Sequence, residues 1–195
     1  MDEDDGTLID RHLDGDRDAF EILVHRHGPA LLGFLRWRTR DPILAEDLLQ
    51  ETFLRALQAL RSYRHRDRLR AWLMRIARNL VIDQERRRSG RLVPLDAPLS
   101  AAEPDGATLG DLLPAPARWE PEPQVERREL AAAARAAVNR LAPVQRDVFL
   151  MRQAGLSFKE IAKTQDCSIN TALGRMYDAV NHLRRNLSDL QVASA

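Results

Sequence analysis

The residues of this chain whose types and spacing could do chemistry are concentrated between positions 155 and 176. Ser157, followed three residues later by Glu160, has the pattern of a capping box, which predicts that a helix begins there. Asp166 predicts a turn, since Asp tolerates a left-handed backbone, and Ser168 can cap a second helix. Two helices joined in this way form a helix-turn-helix, whose second helix enters the major groove of DNA. The sequence therefore predicts a DNA-binding surface.

The second helix of this motif, Ser168 to Arg175, carries side chains that can hydrogen-bond to base edges. Arginine can pair with guanine through two hydrogen bonds and asparagine with adenine, which makes Arg175 and Asn170 candidates for reading bases. Lysines on the preceding helix are placed to contact phosphates. The predicted duplex-binding residues are Lys159, Lys163, Ser168, Asn170, Thr171 and Arg175.

Composition excludes several classes of site. The single cysteine, Cys167, rules out an internal disulfide, and no cysteine–histidine cluster has the spacing of metal ligands. His25 and His27 are two residues apart, would point to different faces of a helix, and are interpreted as surface or boundary residues. No nucleophile–base pair or phosphate-binding glycine loop is visible. We therefore expect no enzyme, cofactor, metal or small-molecule substrate.

No apolar run approaches the roughly 20 residues that span a bilayer. The first residues, MDEDDG, are acidic, unlike a signal peptide. We expect a soluble, cytoplasmic protein without membrane insertion.

Charge is distributed in blocks, although the net charge is only +1. The net charge is −7 over residues 1–21, +8 over 61–91, −6 over 92–126 and +5 over 135–187. Two basic blocks separated by an acidic one indicate two DNA-facing surfaces and a spacer that avoids DNA. The alternative is a solvated arginine-rich face.

The chain divides into two predicted helical domains. Residues 92–126 hold seven of the ten prolines, which predicts a flexible linker. The expected fold is all-α, with an acidic N-terminal tail at 1–15, helical domains at 16–91 and 127–190, and the proline-rich linker between them. The tail is expected to be disordered or to screen the basic surfaces.

In the first domain the apolar pattern predicts three main helices. The first has a kink or break at Gly28-Pro29, the second begins at Asp41-Pro42, and the third begins near Leu69 or Arg70. The residues expected to face inward on the second helix are Leu44, Leu48, Phe53, Leu57 and Leu60, and on the third Leu69, Trp72, Leu73, Ile76 and Leu80.

The second domain is expected to begin with a helix from near Glu129 to Arg140. Leu141-Ala142-Pro143 breaks it, and Pro143 starts the helix that precedes the helix-turn-helix. The last helix is expected to run to about Leu187.

Three segments, in order, carry a family resemblance. AEDLLQETFLRAL (45–57), WLMRIARNLVIDQERRR (72–88), and LAPVQRDVFLMRQAG (141–155) with the helix-turn-helix resemble a bacterial sigma factor of the sigma-70 family, in the extracytoplasmic-function (ECF) group. The resemblance implies an initiation factor that binds core RNA polymerase and directs it to promoters. Its first domain would read and melt the −10 element, and its second would read the −35 element. It also implies control by an anti-sigma factor.

The resemblance assigns roles to residues of the first domain. Asp47, Gln50 and Glu51 share one helical face and are expected to bind core polymerase. Asn79 could hydrogen-bond an extruded base, while arginines hold the phosphates of the separated strand. The residues expected to contact −10 DNA are Tyr63, Arg64, Arg75, Arg78, Asn79, Asp83, Arg86 and Arg87. Trp72 could stack on a base or belong to the core.

Two positions depart from the family pattern. A glycine is common where Asp166 stands, and a basic residue is common where Leu173 stands. Leu173 cannot donate to a base or phosphate, so that contact is either lost or replaced by apolar contact with a thymine methyl.

Two alternative functions would each leave part of the sequence unexplained. A stand-alone helix-turn-helix regulator accounts for residues 141–187 but not for 45–88. A helical adaptor that binds only proteins accounts for the acidic face but not for two basic blocks.

Overall fold

The computed structural model describes residues 3–64, 68–88 and 125–193. Every regular element within these ranges is a helix, which confirms the predicted all-α fold class. The helices belong to two compact units. The described helices of the first unit end with Arg88, and those of the second start at Val125. The expected linker, 92–126, lies outside the described residues except for its last two positions, which are helical.

The first unit is built from helices that pack around α2. Helix α1 spans Asp5–Leu13, α2 spans Arg17–Thr39, α3 spans Pro42–Ala59 and continues into a 3-10 turn at Leu60–Ser62, and α4 spans Leu69–Arg88. Helix α2 contacts α1, α3 and α4, and α3 also contacts α4. The predicted start of the last of these helices near Leu69 is confirmed.

The start of α3 follows from two adjacent residues. The Asp41 carboxylate accepts hydrogen bonds from the backbone N–H groups of Ile43 and Leu44, both at 3.1 Å. Pro42 occupies the first helical position, where no intrahelical donor is needed. The predicted Asp41-Pro42 helix start is therefore confirmed.

The acidic segment at residues 1–15 is not an unstructured tail where the structure describes it. Helix α1 forms over Asp5–Leu13, and Asp4 caps it by accepting a 3.0 Å hydrogen bond from the Thr7 backbone N–H. Leu8 and Ile9 are completely buried. The expectation of disorder was wrong because these two adjacent apolar residues gain enough burial once α2 offers a surface.

His27 is buried, contrary to the prediction of a surface or boundary position. Its Nε2 lies 2.9 Å from one oxygen of Asp5, and Arg26 donates to the other at 2.8 Å. Partial burial raises the pKa of the Asp5 carboxyl, but the hydrogen bonds and charges of His27 and Arg26 outweigh it and hold that pKa below its ordinary value. These contacts fasten α1 to α2.

Helix α2 runs without a break through Gly28-Pro29, where a kink or break was expected. A proline inside a helix costs about 3 kcal/mol. Burial on both sides of the site opposes this cost, since Leu23, Leu31 and Leu35 are each at most 1% exposed. Tertiary packing therefore decides the continuity of this helix.

The buried face of α3 differs from the predicted one at a single turn. Leu48, Phe53 and Leu60 are buried as expected, Leu44 is half-buried, and Leu57 is 39% exposed. Leu57 was assigned wrongly because the buried face follows the row that ends at Ala56, and the next residue lies beyond its edge.

The second unit contains the remaining helices. Helix α5 spans Val125–Arg140, α6 spans Pro143–Gln153, α7 spans Phe158–Thr164 and α8 spans Ile169–Ala193. The predicted break before Pro143 is confirmed, whereas α5 begins earlier and α8 ends later than expected. Helix α8 packs against α5, α6 and α7 and so forms the spine of this unit.

Candidate nucleic-acid interface

The helix-turn-helix predicted from residues 155–176 is present. Gly155 has φ of 89° and follows the end of α6. The Ser157 hydroxyl accepts from the Glu160 backbone N–H at 3.3 Å, and the Glu160 carboxylate accepts from the Ser157 backbone N–H at 2.7 Å. This reciprocal pair is the capping box that begins α7, so the start of the motif's first helix is confirmed.

The turn between α7 and α8 has the backbone that the sequence predicts. Asp166 has φ of 50°, in the left-handed region, and Cys167 beside it is half-buried. The Ser168 hydroxyl then accepts a 3.0 Å hydrogen bond from the Thr171 backbone N–H and so caps α8. A side-chain oxygen at each helix start thus sets the geometry of the motif.

Small and apolar residues bring the two helices together. Ile161 and Ala162 on α7, and Ala172 on α8, are at most 3% exposed. Met176 is half-buried. Packing through these side chains fixes α8 on α7 and leaves its opposite face to solvent.

Five of the six predicted duplex-binding residues are exposed. Two are the lysines of α7, and three occupy the capped N-terminal end of α8, where backbone N–H groups favour an anion. These five are Lys159, Lys163, Ser168, Asn170 and Thr171.

Arg175, the sixth predicted residue, is half-buried and is hydrogen-bonded within the motif. Its Nη1 donates to the Oε1 of Gln165 at 2.6 Å. Gln165 is itself buried and donates through Nε2 to the backbone oxygen of Val144 at 3.0 Å. The guanidinium is thus tied to α7, and through it to α6, and does not project from the centre of the outer face.

Three apolar residues are exposed on α8, and of these the sequence singled out only Leu173, as a departure from the family pattern. Ile169, Leu173 and Tyr177 are 45%, 43% and 69% exposed. They are spaced four residues apart and therefore form one row along the helix. The signal in the sequence was this spacing, which by itself resembles a core-facing stripe.

Helix α4 presents the residues expected to contact −10 DNA. Arg75, Asn79 and Arg86 are spaced so that they share one helical face, and all three are exposed. Among the other predicted residues, Arg64 and Arg87 are exposed, and Tyr63, Arg78 and Asp83 are half-buried. Residues 65–67 of the loop before α4 lie outside the described residues.

Tyr63 and Trp72 form an aromatic pair at the start of this surface. Their ring centroids are 4.5 Å apart, with an angle of 26° between the ring planes. Both residues are half-buried, as is Ile76, whereas Leu69, Leu73 and Leu80 are buried as predicted. Trp72 is therefore only partly in the core, and one of its faces is covered by Tyr63.

The acidic residues of α3 lie on a face that also exposes apolar side chains. Asp47 is exposed, while Gln50 and Glu51 are half-buried, and Glu51 accepts a 2.6 Å hydrogen bond from Arg55. Leu54 is 51% exposed and Ile43 is 75% exposed on the same face. We name this group, with Leu57, the α3 face. Its apolar members were missed because two lay outside the predicted core pattern and Leu57 was assigned to the core.

No helix in the described part of the chain is long and apolar enough to cross a bilayer. Over the same ranges, no group of three or more His, Cys, Asp or Glu side chains could hold a metal ion.

Comparison with known proteins places both units in one family. The model of sigma-70 region 2 matches residues 23–91, and that of sigma-70 region 4 matches residues 131–183. RNA polymerase sigma factor CarQ of Myxococcus xanthus is 34% identical over 188 residues, which is 96% of this chain and 99% of the relative. The ECF RNA polymerase sigma factor BldN of Streptomyces coelicolor is 32% identical over 93% of this chain and 65% of its own length.

A solved structure agrees with this comparison. The sigma factor RpoE from Bartonella quintana, in complex with the anti-sigma factor NepR, superposes with a TM-score of 0.64 at 25% identity. The match covers 87% of this chain and 96% of that one. The chain belongs to the sigma-70 family of RNA polymerase sigma factors, in its extracytoplasmic-function group.

Proposed function

We propose that this protein is a transcription initiation factor that binds core RNA polymerase through the α3 face and directs it to promoters. In this proposal the domain expected at residues 16–91, in the first unit, reads and melts the −10 element. The domain expected at residues 127–190, in the second unit, reads the −35 element as duplex DNA. We further propose that the protein acts as an initiation factor and not as an enzyme, and that it acts in the cytoplasm, where the polymerase and the chromosome are.

The observation that carries the proposal is the presence, in one chain, of two family-matched helical units that expose different polar surfaces. Helix α4 exposes arginines with Asn79 between them, which suits the phosphates and an unstacked base of a separated strand. Helix α8 presents a capped N-terminal end flanked by the lysines of α7, which suits an intact major groove.

The α3 face suits a protein partner. Asp47 and Glu51 supply negative charge, and Leu54 and Ile43 supply apolar area that water covers in the free protein. A basic helical surface on the polymerase would match the charge, while the apolar side chains would add affinity by burial.

The test is run-off transcription with purified core polymerase and genomic DNA of the organism that encodes the chain. Addition of the protein should produce transcripts with defined start sites that core enzyme alone does not make. Mapping these starts across the genome would then give the promoters. If core enzyme starts nowhere new in the presence of the folded protein, the proposal is wrong.

A stand-alone helix-turn-helix regulator is the alternative function. Such a protein would change the output of a holoenzyme that already contains another sigma factor, and would have no effect with core enzyme alone. The same assay, repeated with that holoenzyme, therefore separates the two functions.

We further propose control by an anti-sigma factor. The support is that a solved relative of the same fold, RpoE from Bartonella quintana, was crystallised with the anti-sigma factor NepR. A protein that is co-purified with this chain and suppresses its run-off activity would identify that partner.

A further inference from the structure

The outer face of α8 is unusual for a surface that reads DNA. Ala172 and Ala179, both completely buried, define the inner side of the helix. On the solvent side the exposed row of Ile169, Leu173 and Tyr177 runs past the capped N-terminal end. A row of apolar residues exposed on the free protein marks a candidate contact surface.

This face lacks a cation that could read a base. From Ile169 to Asp178 the sequence contains one cation, Arg175, and its guanidinium hydrogen-bonds to Gln165. The usual bidentate contact of arginine with guanine is therefore not available from the centre of the face. The side chains that are available there are apolar or neutral, apart from Asp178 at its edge.

Gly174 leaves a gap among the side chains of this face, which we call the notch. It follows Leu173, and a Cβ built at Gly174 would meet no atom within 4 Å. Packing within the protein therefore does not require glycine at this exposed helical position, although glycine lowers helix stability. A glycine at this position suits close approach of another molecule to the helix backbone.

We propose that Leu173 selects a thymine in the −35 duplex through apolar contact with its 5-methyl group. In the major groove, the thymine methyl is the feature of the base edges that an aliphatic side chain can recognise, because the other groups are hydrogen-bond donors and acceptors. Gly174 lets the helix backbone approach the groove, and Ile169 and Tyr177 flank the contact. This inference rests on the proposed function and names the base chemistry that its second unit reads.

Charge and composition favour DNA over a protein as the occupant of this face. Asn170 and Thr171 are exposed beside the apolar row and offer donors and acceptors to base edges. Lys159 and Lys163 are exposed on α7, where they can hold phosphates on the side of the groove. A docking site for an apolar protein helix would not require these lysines or the notch at Gly174.

The experiment removes one methyl group at a time. Holoenzyme reconstituted from core polymerase and the full chain is given the strongest promoter found by start-site mapping. Each thymine of the −35 block, on either strand, is replaced singly by deoxyuridine, which keeps base pairing and loses only the methyl. Replacement at one position should lower initiation about fourfold, the value of one buried carbon.

Two variants of Leu173 link the effect to this side chain. Leu173→Ala should initiate equally from the thymine and deoxyuridine templates, because the contact is already absent. Leu173→Arg should instead prefer guanine at the position where the wild type requires thymine.

A pair of glycine variants tests the notch. Gly174→Ala should lower −35-dependent initiation several-fold. Gly33→Ala, which adds the same methyl at another exposed helical glycine with no atom within 4 Å of its Cβ, should leave initiation unchanged.

The outcomes separate this inference from the proposed function. If adding the folded protein to core polymerase gives no new transcription starts, the proposed function itself is refuted. A holoenzyme that depends on its −35 block but is indifferent to every thymine methyl in it overturns only the role of Leu173, as would a Leu173→Arg variant that keeps the wild-type thymine preference.

Discussion

Single short polar side chains cap the start of several helices in the described part of this protein. Asp4, Asp41, Ser157 and Ser168 each accept hydrogen bonds from backbone N–H groups one turn ahead. The last three could be predicted because a cap depends only on neighbours in the sequence. The pair of Asp5 and His27 could not, since its partners are 22 residues apart and meet only after α1 has docked.

The Asp5 pair predicts a pH dependence of stability. Asp5→Asn should lower the free energy of unfolding by about 1.5–3 kcal/mol at neutral pH, the range for hydrogen bonds to charged groups. The pKa of Asp5 is lowered in the folded state from its ordinary value of 3.8. Its contribution is therefore fully present above that value and is lost as the pH falls through the lower, folded-state pKa.

Denaturant unfolding of both proteins between pH 7 and pH 3 would check this. The gap between their unfolding free energies should be constant at higher pH and should narrow only in the acid range. Asp14→Asn, which changes an exposed carboxylate just beyond α1, is the control and should show no such gap. A gap that widens toward low pH would contradict the expected sign.

At the scale of elements, periodicity predicted the helices, but the surroundings decided their ends and faces. The apolar pattern predicted α3 and α4 because three- and four-residue spacing is a local property. It failed at Leu57, which lies one step past the buried row. At Pro29 the helix does not break, because packing on both sides outweighs the cost of the ring. The apolar pattern also failed for α1, whose two buried side chains are too few to show a period.

Three glycines give a prediction at this scale. Gly33→Ala and Gly174→Ala should each raise the free energy of unfolding by about 0.5–1 kcal/mol, because alanine loses less backbone entropy in a helix and its Cβ meets no atom. Gly15→Ala should do the opposite and lower it by about 1 kcal/mol or more, since Gly15 has φ of 107°. Denaturant titration of the three variants, each followed by circular dichroism, would measure this. A destabilised Gly174→Ala would mean that the helix is strained there.

At the scale of the whole molecule, the order of two helical units and an acidic, proline-rich stretch between them could be predicted from composition. Charged candidates such as Asp47 and Glu51 could be proposed from the family pattern, and their role stays a prediction. Exposed apolar candidates such as Ile43 and Tyr177 could not be proposed in this way, because an apolar residue at helical spacing has the same signature in a core and on a surface.

The α3 face predicts how the protein joins a larger assembly. Asp47→Arg combined with Glu51→Arg should abolish co-purification with core polymerase, since it reverses charge on that face. The variant should remain folded, as judged by circular dichroism and its unfolding curve, because neither side chain is buried. Asp14→Arg combined with Glu21→Arg makes the same change in net charge at exposed positions elsewhere and should still co-purify. Retention of the first double variant by core enzyme would argue against the assignment.

The turn at Asp166 has a consequence for the resilience of the second unit. An L-residue held in the left-handed conformation costs roughly 1–2 kcal/mol, and Asp lowers that cost only in part through its short polar side chain. The turn between the two helices of the motif is therefore less stable to heat than it would be with glycine, which has no Cβ. The substitution Asp166→Gly is a starting point for engineering a more thermostable version of this protein.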